Sequence, residues 1–422
     1  MLTRKMKDSG IEWIGEIPED WEVSKIGSHY IERTDKVSDL DFEPLSVTKN
    51  GIVPQLETAA KSSNHNNRKL VLKNDFVINS RSDRKMSAGI SSMDGSVSVI
   101  NTVLYSKTID RNYTKYLLKN YSFAEEFYRW GTGIVDDLWS TKWLKMKNIS
   151  IPVPPNDKQK QIGKTLDRLT QNTNNIIKET KQSIEELKKY KQSLITEAVT
   201  KGLDPNVEMK DSGIEWIGEI PKHWTSAKMK QIGRVRNGLT YRPENITNQN
   251  SGTLVLRAGN IVNSQLVYDD NVYVAAEIIS DNLMLKLNDI LICSRSGSRD
   301  LIGKNTIIEK ELKASFGAFM MVFRTTNINS KYVYYILNSG VFNYYLGTFL
   351  TSTINQLTKG NFDNMKIVIT NDLEEQRQIV SYLDEQTSRI DKLIEDKTKV
   401  IEELESYKKS LIYEYVTGKK EV

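Results

Sequence analysis

The sequence predicts an α+β protein: two mixed α/β globular domains joined by two long antiparallel helices that form an intramolecular coiled coil. The plan is a pseudo-twofold internal repeat with circular organisation. Three observations predict it. First, the stretch "MKDSGIEWIGEIP" occurs twice, letter for letter, at residues 6–18 and 209–221. Second, "QKQIGKTLD" at Gln159 matches "QRQIVSYLD" at Gln376, and "IEELKKYKQSLITEAVT" at Ile184 matches "IEELESYKKSLIYEYVT" at Ile401, both at an offset of 217 residues (376 − 159 and 401 − 184). A repeat in constant order over a whole chain marks duplicated units. Third, 422 residues exceed what one hydrophobic core normally holds, so two domains are expected.

In chain order, residues 1–20 form an N-terminal repeat segment. Residues 21–155 are the first globular domain, where short Val, Ile, Leu and Tyr runs are broken by Gly, Asn, Ser and Asp, a strand-rich pattern. A helical patch is expected near "YTKYLLKNYSFAEEFYRW", and "IPVPP" at Ile151 ends the domain, since proline suits an extended lead-in and not a helix interior.

Residues 156–202 are the first long helix. Its apolar stripe is read as Leu166, Leu169, Thr173, Ile176, Thr180, Ile184, Leu187, Tyr190, Leu194 and Ala198, stepping by three and four. Gly202 and Pro205 close it. Residues 203–223 are a linker and the second repeat segment. Residues 224–372 are the second globular domain, with a helical patch near "KYVYYILNSGVFNYYL"; its last strand reads "IVITND", without the prolines, and Asp372 is a candidate N-cap.

Residues 373–422 are the second long helix, with a stripe of Leu383, Ile390, Leu393, Val400, Leu404, Tyr407, Leu411 and Tyr415. Equivalent helices paired about a pseudo-twofold axis run antiparallel. The coiled-coil core is therefore assigned to Leu166, Leu169, Ile176, Leu187 and Leu194 with Leu383, Ile390, Leu393, Leu404 and Leu411. If so, the N-terminal segment must lie against the end of the second helix, through space where its copy is joined through the chain. Trp13 and Trp216 are expected to pack at these two joints, the alternative being twin partner-docking surfaces.

The globular domains resemble each other more faintly. "NDFVINSRS" at Asn74 pairs with "NDILICSRS" at Asn288, and "LSVTKNGIV" at Leu45 with "LVLRAGNIV" at Leu254. The halves share a fold and differ in detail.

Composition narrows the function. No apolar run approaches the roughly 20 residues needed to span a bilayer, the N-terminus lacks a signal-peptide h-region, and the single cysteine, Cys293, suits a reducing, cytoplasmic setting as a buried structural thiol. Three histidines at unrelated positions give no metal cluster, and "GSRDLIGKN" misses the spacing of a phosphate loop. No dinucleotide fingerprint, nucleophile elbow or Asn-Pro-Pro-aromatic motif is present. The chain reads as noncatalytic, binding no cofactor of its own.

Net charge of +5 hints at an anionic partner, and its distribution is more informative. Residues 61–85 carry seven Lys/Arg against two Asp, interleaved with the Ser and Asn side chains that donate to phosphates and base edges. Candidate DNA contacts are Arg68, Lys69, Ser80, Arg81, Arg84 and Lys85 in the first domain. In the second they are Tyr241, Arg242, Arg257, Ser294, Arg295, Arg299 and Lys304. The Ser-Arg-Ser triplet falls at the same repeat position in both.

The order of variable domain, "P-x-P-P" and Gln-rich lead-in, long helix, repeated "GIEWIGEIP", second domain and second helix resembles the specificity (S, HsdS) subunits of type I restriction-modification systems. The resemblance covers essentially the whole chain; the missing second set of prolines is its one departure. It implies two target recognition domains that each read half of a bipartite double-stranded DNA site, spaced by the coiled coil. It implies partners too: methyltransferase (M) subunits docked on the coiled coil and restriction/translocase (R) subunits. S-adenosylmethionine, ATP and Mg are expected in those partners. About 35 helical residues at about 1.5 Å each would span roughly 50 Å, or roughly 15 base pairs. The rival readings are a scaffold that joins proteins without reading DNA and a stand-alone DNA-modifying enzyme.

Overall fold

The computed structural model describes residues 4–58, 65–133, 139–350 and 355–422. The chain divides into two compact units, residues 1–181 with 398–422 and residues 182–397. The division cuts through both long helices, Asn156–Lys201 and Leu373–Val416, so each unit owns a piece of each.

Each unit holds an antiparallel four-stranded sheet of the same order. In the first it runs Ala88–Ile90, Phe76–Asn79, Asn101–Ser106, Tyr30–Glu32; in the second, Asn305–Ile307, Ile290–Cys293, Met320–Thr325, Gly233–Asn237. The second sheets diverge. Unit 1 pairs Gly95–Ser98, Arg68–Val71 and Lys36–Val37, whereas unit 2 has four strands closed by a parallel pairing of Gly252–Leu256 with Ala314–Phe316. The helical patches are Arg111–Leu117 with Tyr121–Arg129, and Ser330–Ile336 with Gly340–Phe349.

Losing the prolines changes little. Ser150–Val153 pairs with Glu22–Lys25, and Lys366–Ile369 pairs with Thr225–Lys228, as equivalent two-stranded ribbons. Asp372 caps the second long helix, its Oδ1 accepting from the Glu374 amide at 2.8 Å.

The glutamines Gln159 and Gln376 have the same job. Buried, each accepts through Oε1 from the amide of the residue that caps the first helix of the globular domain's helix pair, Asp110 or Asn329, at 2.8 Å in both cases. Each donates through Nε2 at 2.9 Å to the carbonyl of Pro154 or Thr370. One side chain thus ties the long helix, the last strand and the helix pair. Beside it, Tyr116 and Tyr335 donate to Asp167 and Asp384 of the long helices at 2.7 and 2.5 Å.

The thirteen-residue repeat is a hairpin. Met6–Asp8 pairs with Glu16–Pro18 and Met209–Asp211 with Glu219–Pro221, in identical register. Gly10, Gly15, Gly213 and Gly218 all take positive φ in its turns. In unit 2 the first long helix ends at Gly202 (φ +75°), which faces the Pro221 and Trp224 rings. In unit 1 the second long helix ends at Gly418 (φ +75°) against Pro18 and Trp21, and Tyr413 Oη donates to the Ile14 carbonyl at 3.1 Å. The through-chain joint and the through-space joint therefore share one plan, as circular organisation requires, with tighter packing at Gly418. Trp13 packs edge-on against Phe123 with centroids 5.8 Å apart, while Trp216 is half-buried and stacks on exposed Tyr344 at 4.5 Å.

Within each unit the two helix pieces run antiparallel. In unit 2 Lys191 Nζ meets Asp391 at 2.6 Å and Gly202 lies by Glu375; in unit 1 Lys408 Nζ donates to Asn174 Oδ1 at 2.8 Å. By the 217-residue offset these two pairs are counterparts.

The apolar stripe needs a correction. Leu166, Leu194, Leu383, Ile390 and Leu411 are buried and Leu187 and Leu404 half-buried, as expected. Ile176 and Leu393, however, are 48% and 50% exposed, and Leu169 is only half-buried, packed on the domain core. The buried series is Leu166, Thr170, Thr173, Ile177, then Ile184; on the second helix it is Leu383, Thr387, Ile390, then Ile401, with Ile394 half-buried. Strict alternation of four and three keeps one seam facing the partner. Where two apolar residues adjoin, as at Ile176-Ile177 and Leu393-Ile394, that alternation selects the second of each.

Candidate nucleic-acid interface

The Ser-Arg-Ser triplets occupy equivalent corners. In unit 1 strand Phe76–Asn79 runs into Ser80, which is buried and donates through Oγ to the Ile100 carbonyl at 2.6 Å. The next residue, Arg81, is exposed; its amide is held by Asn79 Oδ1 at 3.0 Å and its backbone bridges Ser140. In unit 2 strand Ile290–Cys293 runs into Ser294, equally buried, whose Oγ donates to the Phe319 carbonyl at 3.0 Å. Arg295 is exposed, bridges Gln356, and lies over the exposed Phe319 ring at 5.4 Å.

At both corners, then, a buried serine pins the backbone and an arginine projects from it. Among the described residues, neither arginine has a carboxylate within ion-pair distance. An uncompensated guanidinium on a fixed backbone is suited to phosphate or a base edge.

The other candidates are mostly engaged. Arg68 is a correction: it is buried, its guanidinium donating to Ser96 Oγ at 2.8 Å, and burial lowers its pKa. Ser80 and Ser294 are likewise structural, hydrogen-bonded inward. Lys69 is held by Glu32 at 2.7 Å, Lys85 by Glu125 at 3.1 Å, and Arg257 by Asp270 at 2.9 Å. Arg84 and Arg242 are exposed beside Asp83 (3.3 Å) and Glu244 (3.6 Å). Arg299 donates to the Leu350 carbonyl at 3.0 Å; Lys304 is half-buried, and so is Tyr241, packed on the Leu239 cluster. Lys61, at the start of the basic stretch, lies outside the described residues.

Beside Arg81 a cleft of about 560 Å³ is lined by Lys69, Arg81, Lys142, Ile100 and Trp143. Lys142, Trp143 and Phe319 are contributions that the repeat comparison missed. The signal was there in "WSTKW", where aromatics and a base alternate.

Among the described residues no group of three His, Cys, Asp or Glu could hold a metal, and no helix is long and apolar enough to cross a membrane. Cys293 is buried, and burial pushes its thiol pKa up, the reverse of a reactive thiolate.

Residues 18–186 and 221–403 match the family described as "Type I restriction modification DNA specificity domain". The chain is 27% identical over 426 residues to the type I restriction enzyme MjaVIII specificity subunit of Methanocaldococcus jannaschii, covering 96% of this chain and 93% of that protein. It is 25% identical to the putative type I restriction enzyme MjaX specificity subunit of the same organism, over 96% and 95% of the two chains. Among solved structures, a chain from a study of complex assembly and conformational transition of the type I R-M system superposes with a TM-score of 0.73 at 14% identity, covering 95% of this chain and 98% of that one. The HsdS subunit of Thermoanaerobacter tengcongensis superposes at 0.53, also at 14% identity, over 96% and 98%. With two matched segments that together take in most of the sequence, the chain belongs to the type I restriction-modification DNA specificity family.

Proposed function

We propose that this chain is the DNA recognition subunit of a type I restriction-modification complex, in which each recognition domain reads one half of a bipartite site. The observation that carries this is the pair of equivalent corners at which Arg81 and Arg295 project from pinned backbone with no counter-ion among the described residues. The surroundings differ, Ile100 and Lys142 at one corner and Phe319 at the other, which suits two domains reading different half-sites. The chain is itself noncatalytic; S-adenosylmethionine, ATP and Mg act in the partner subunits, and the complex works in the cytoplasm.

The long helices form the coiled coil that sets the gap between half-sites and docks methyltransferase subunits. Residues left out of the buried seam support the docking. Ile176 and Tyr190 on the first helix, and Leu393, Val400 and Tyr407 on the second, are all exposed at heptad spacing. An apolar stripe on an otherwise polar helix marks a protein contact.

The test is to map adenine methylation by single-molecule sequencing in cells carrying this chain and its methyltransferase. A split motif is expected, and removing two heptads from both helices should shorten its gap while sparing the half-sites. Methylation without a bipartite motif would favour the scaffold reading and overturn this one.

A further inference from the structure

A second charged feature lies in unit 1, away from the Arg81 corner. A cleft of about 930 Å³ is bounded by the helix Arg111–Leu117, the loops around Lys49 and Lys73, and both long-helix pieces of that unit. Lys115 and Lys119 enter it from the short helix and its end, and Lys408 and Lys409 from the second long helix. Lys49, Lys73 and Arg111 complete the lining, which among the described residues contains no Asp or Glu.

Of the carboxylates nearby, two are ion-paired and two accept only from backbone amides. Asp167 accepts from Lys115 at 2.6 Å, Asp75 from Arg33 at 2.7 Å, and Asp94 from the backbone amide of Lys73 at 2.6 Å, while Asp110 caps the short helix. Among the described residues, the other cations find neutral partners. Lys119 donates to the Lys49 carbonyl, Arg111 to Asn74 Oδ1 and Lys408 to Asn174 Oδ1, each at 2.8 Å. Lys409 lies 5.9 Å from the exposed Tyr121 ring. Burial, with Lys115 adding to it, lowers the Lys119 pKa to about 8.

The fold does not require this charge, because unit 2 builds the same corner without it. The counterpart of Asn174 is Asp391, so Lys191 has the carboxylate that Lys408 lacks. Gln192 stands for Lys409. Aligning Tyr116 with Tyr335, which bond the equivalent aspartates, puts Tyr334 and Asn338 where the first half has Lys115 and Lys119. Concave like charge raises the local concentration of counter-ions, and self-repulsion is relieved when an anion enters.

We propose that this cleft binds a run of adjacent phosphates, once per chain, supplied either by a free oligophosphate or by the backbone of DNA. A ligand that exploited the shared features of the repeat would have two sites; this one has a single site because only one half carries the lysines. The proposal goes beyond DNA reading by the recognition domains and stands independently of it.

The test uses the full chain assembled with its methyltransferase and the variant Lys73→Ala/Lys409→Ala. Both residues are exposed, and the variant's fold is checked by its melting curve. Inorganic tripolyphosphate is titrated calorimetrically. Saturable 1:1 binding, weakened at least tenfold in the variant, identifies a free oligophosphate. No such binding, but a shallower salt dependence of DNA affinity in the variant, identifies backbone phosphate. A variant that alters neither tripolyphosphate binding nor salt dependence overturns the proposal, and it does so even where the wild-type complex keeps its sequence-specific binding.

Discussion

Replacing Arg81 and Arg295 by alanine, singly and together, tests what the paired corners do. The same arginine on the same backbone support appears in two domains whose flanks differ, so the contact they share is expected to be with phosphate, which carries no sequence information. Each neutralised phosphate contributes about 0.9 to the slope of log affinity against log salt concentration. Between 50 and 200 mM salt one such contact is worth about 3.5-fold and two about 12-fold. Measured by fluorescence anisotropy on the assembled complex, each single variant should bind more weakly and lose about 3.5-fold less of its affinity over that range than wild type. The double variant should lose about 12-fold less, with the methylated motif unchanged. Arg81→Lys should keep the wild-type slope. The reasoning is refuted if the slopes do not move, or if one base position in a half-site becomes degenerate while the slope stays fixed. The latter result would make the arginine a base reader, each good bidentate contact being worth about 1–3 kcal/mol.

Two further perturbations address the scaffold. Leu393→Asp combined with Tyr407→Asp alters exposed positions, so melting should shift little while co-purification of the methyltransferase is lost; retention of the partner would remove the exposed stripe from the docking surface. Gly418→Ala should destabilise more than Gly202→Ala in chemical denaturation. Both pay about 1 kcal/mol for alanine at positive φ, but a methyl at Gly418 would also overlap the Pro18 ring, whereas at Gly202 its nearest neighbour is 3.5 Å away. Equal losses would mean the two joints are packed alike.

Much of this architecture is legible in the sequence because it is written twice. The hairpin, the long helices and the circular plan follow from matched strings, since a repeat must satisfy the same contacts in both copies. The heptad register is harder: at Ile176-Ile177 and Leu393-Ile394 two apolar neighbours compete, and only the geometry of the partner helix selects between them. Arg81 and Arg295 can be found by alignment of the halves, yet nothing local distinguishes them from Arg68. That distinction rests on burial and on Ser96, 28 residues further on. The cleft of lysines is invisible in the sequence because Lys49, Lys119 and Lys408 meet only after folding. Nor does any pattern foretell that Gln159 and Gln376 each join three elements through one amide.

Those two glutamines carry a consequence for heredity. Each recognition domain begins at a Trp-bearing hairpin and ends at a glutamine latch, and the hairpins are identical over thirteen residues. A crossover within the gene segments that encode them would exchange everything between, while each glutamine met the same two backbone groups as before. New specificity can thus arrive as a finished cassette, with no need to evolve a new collar to hold it.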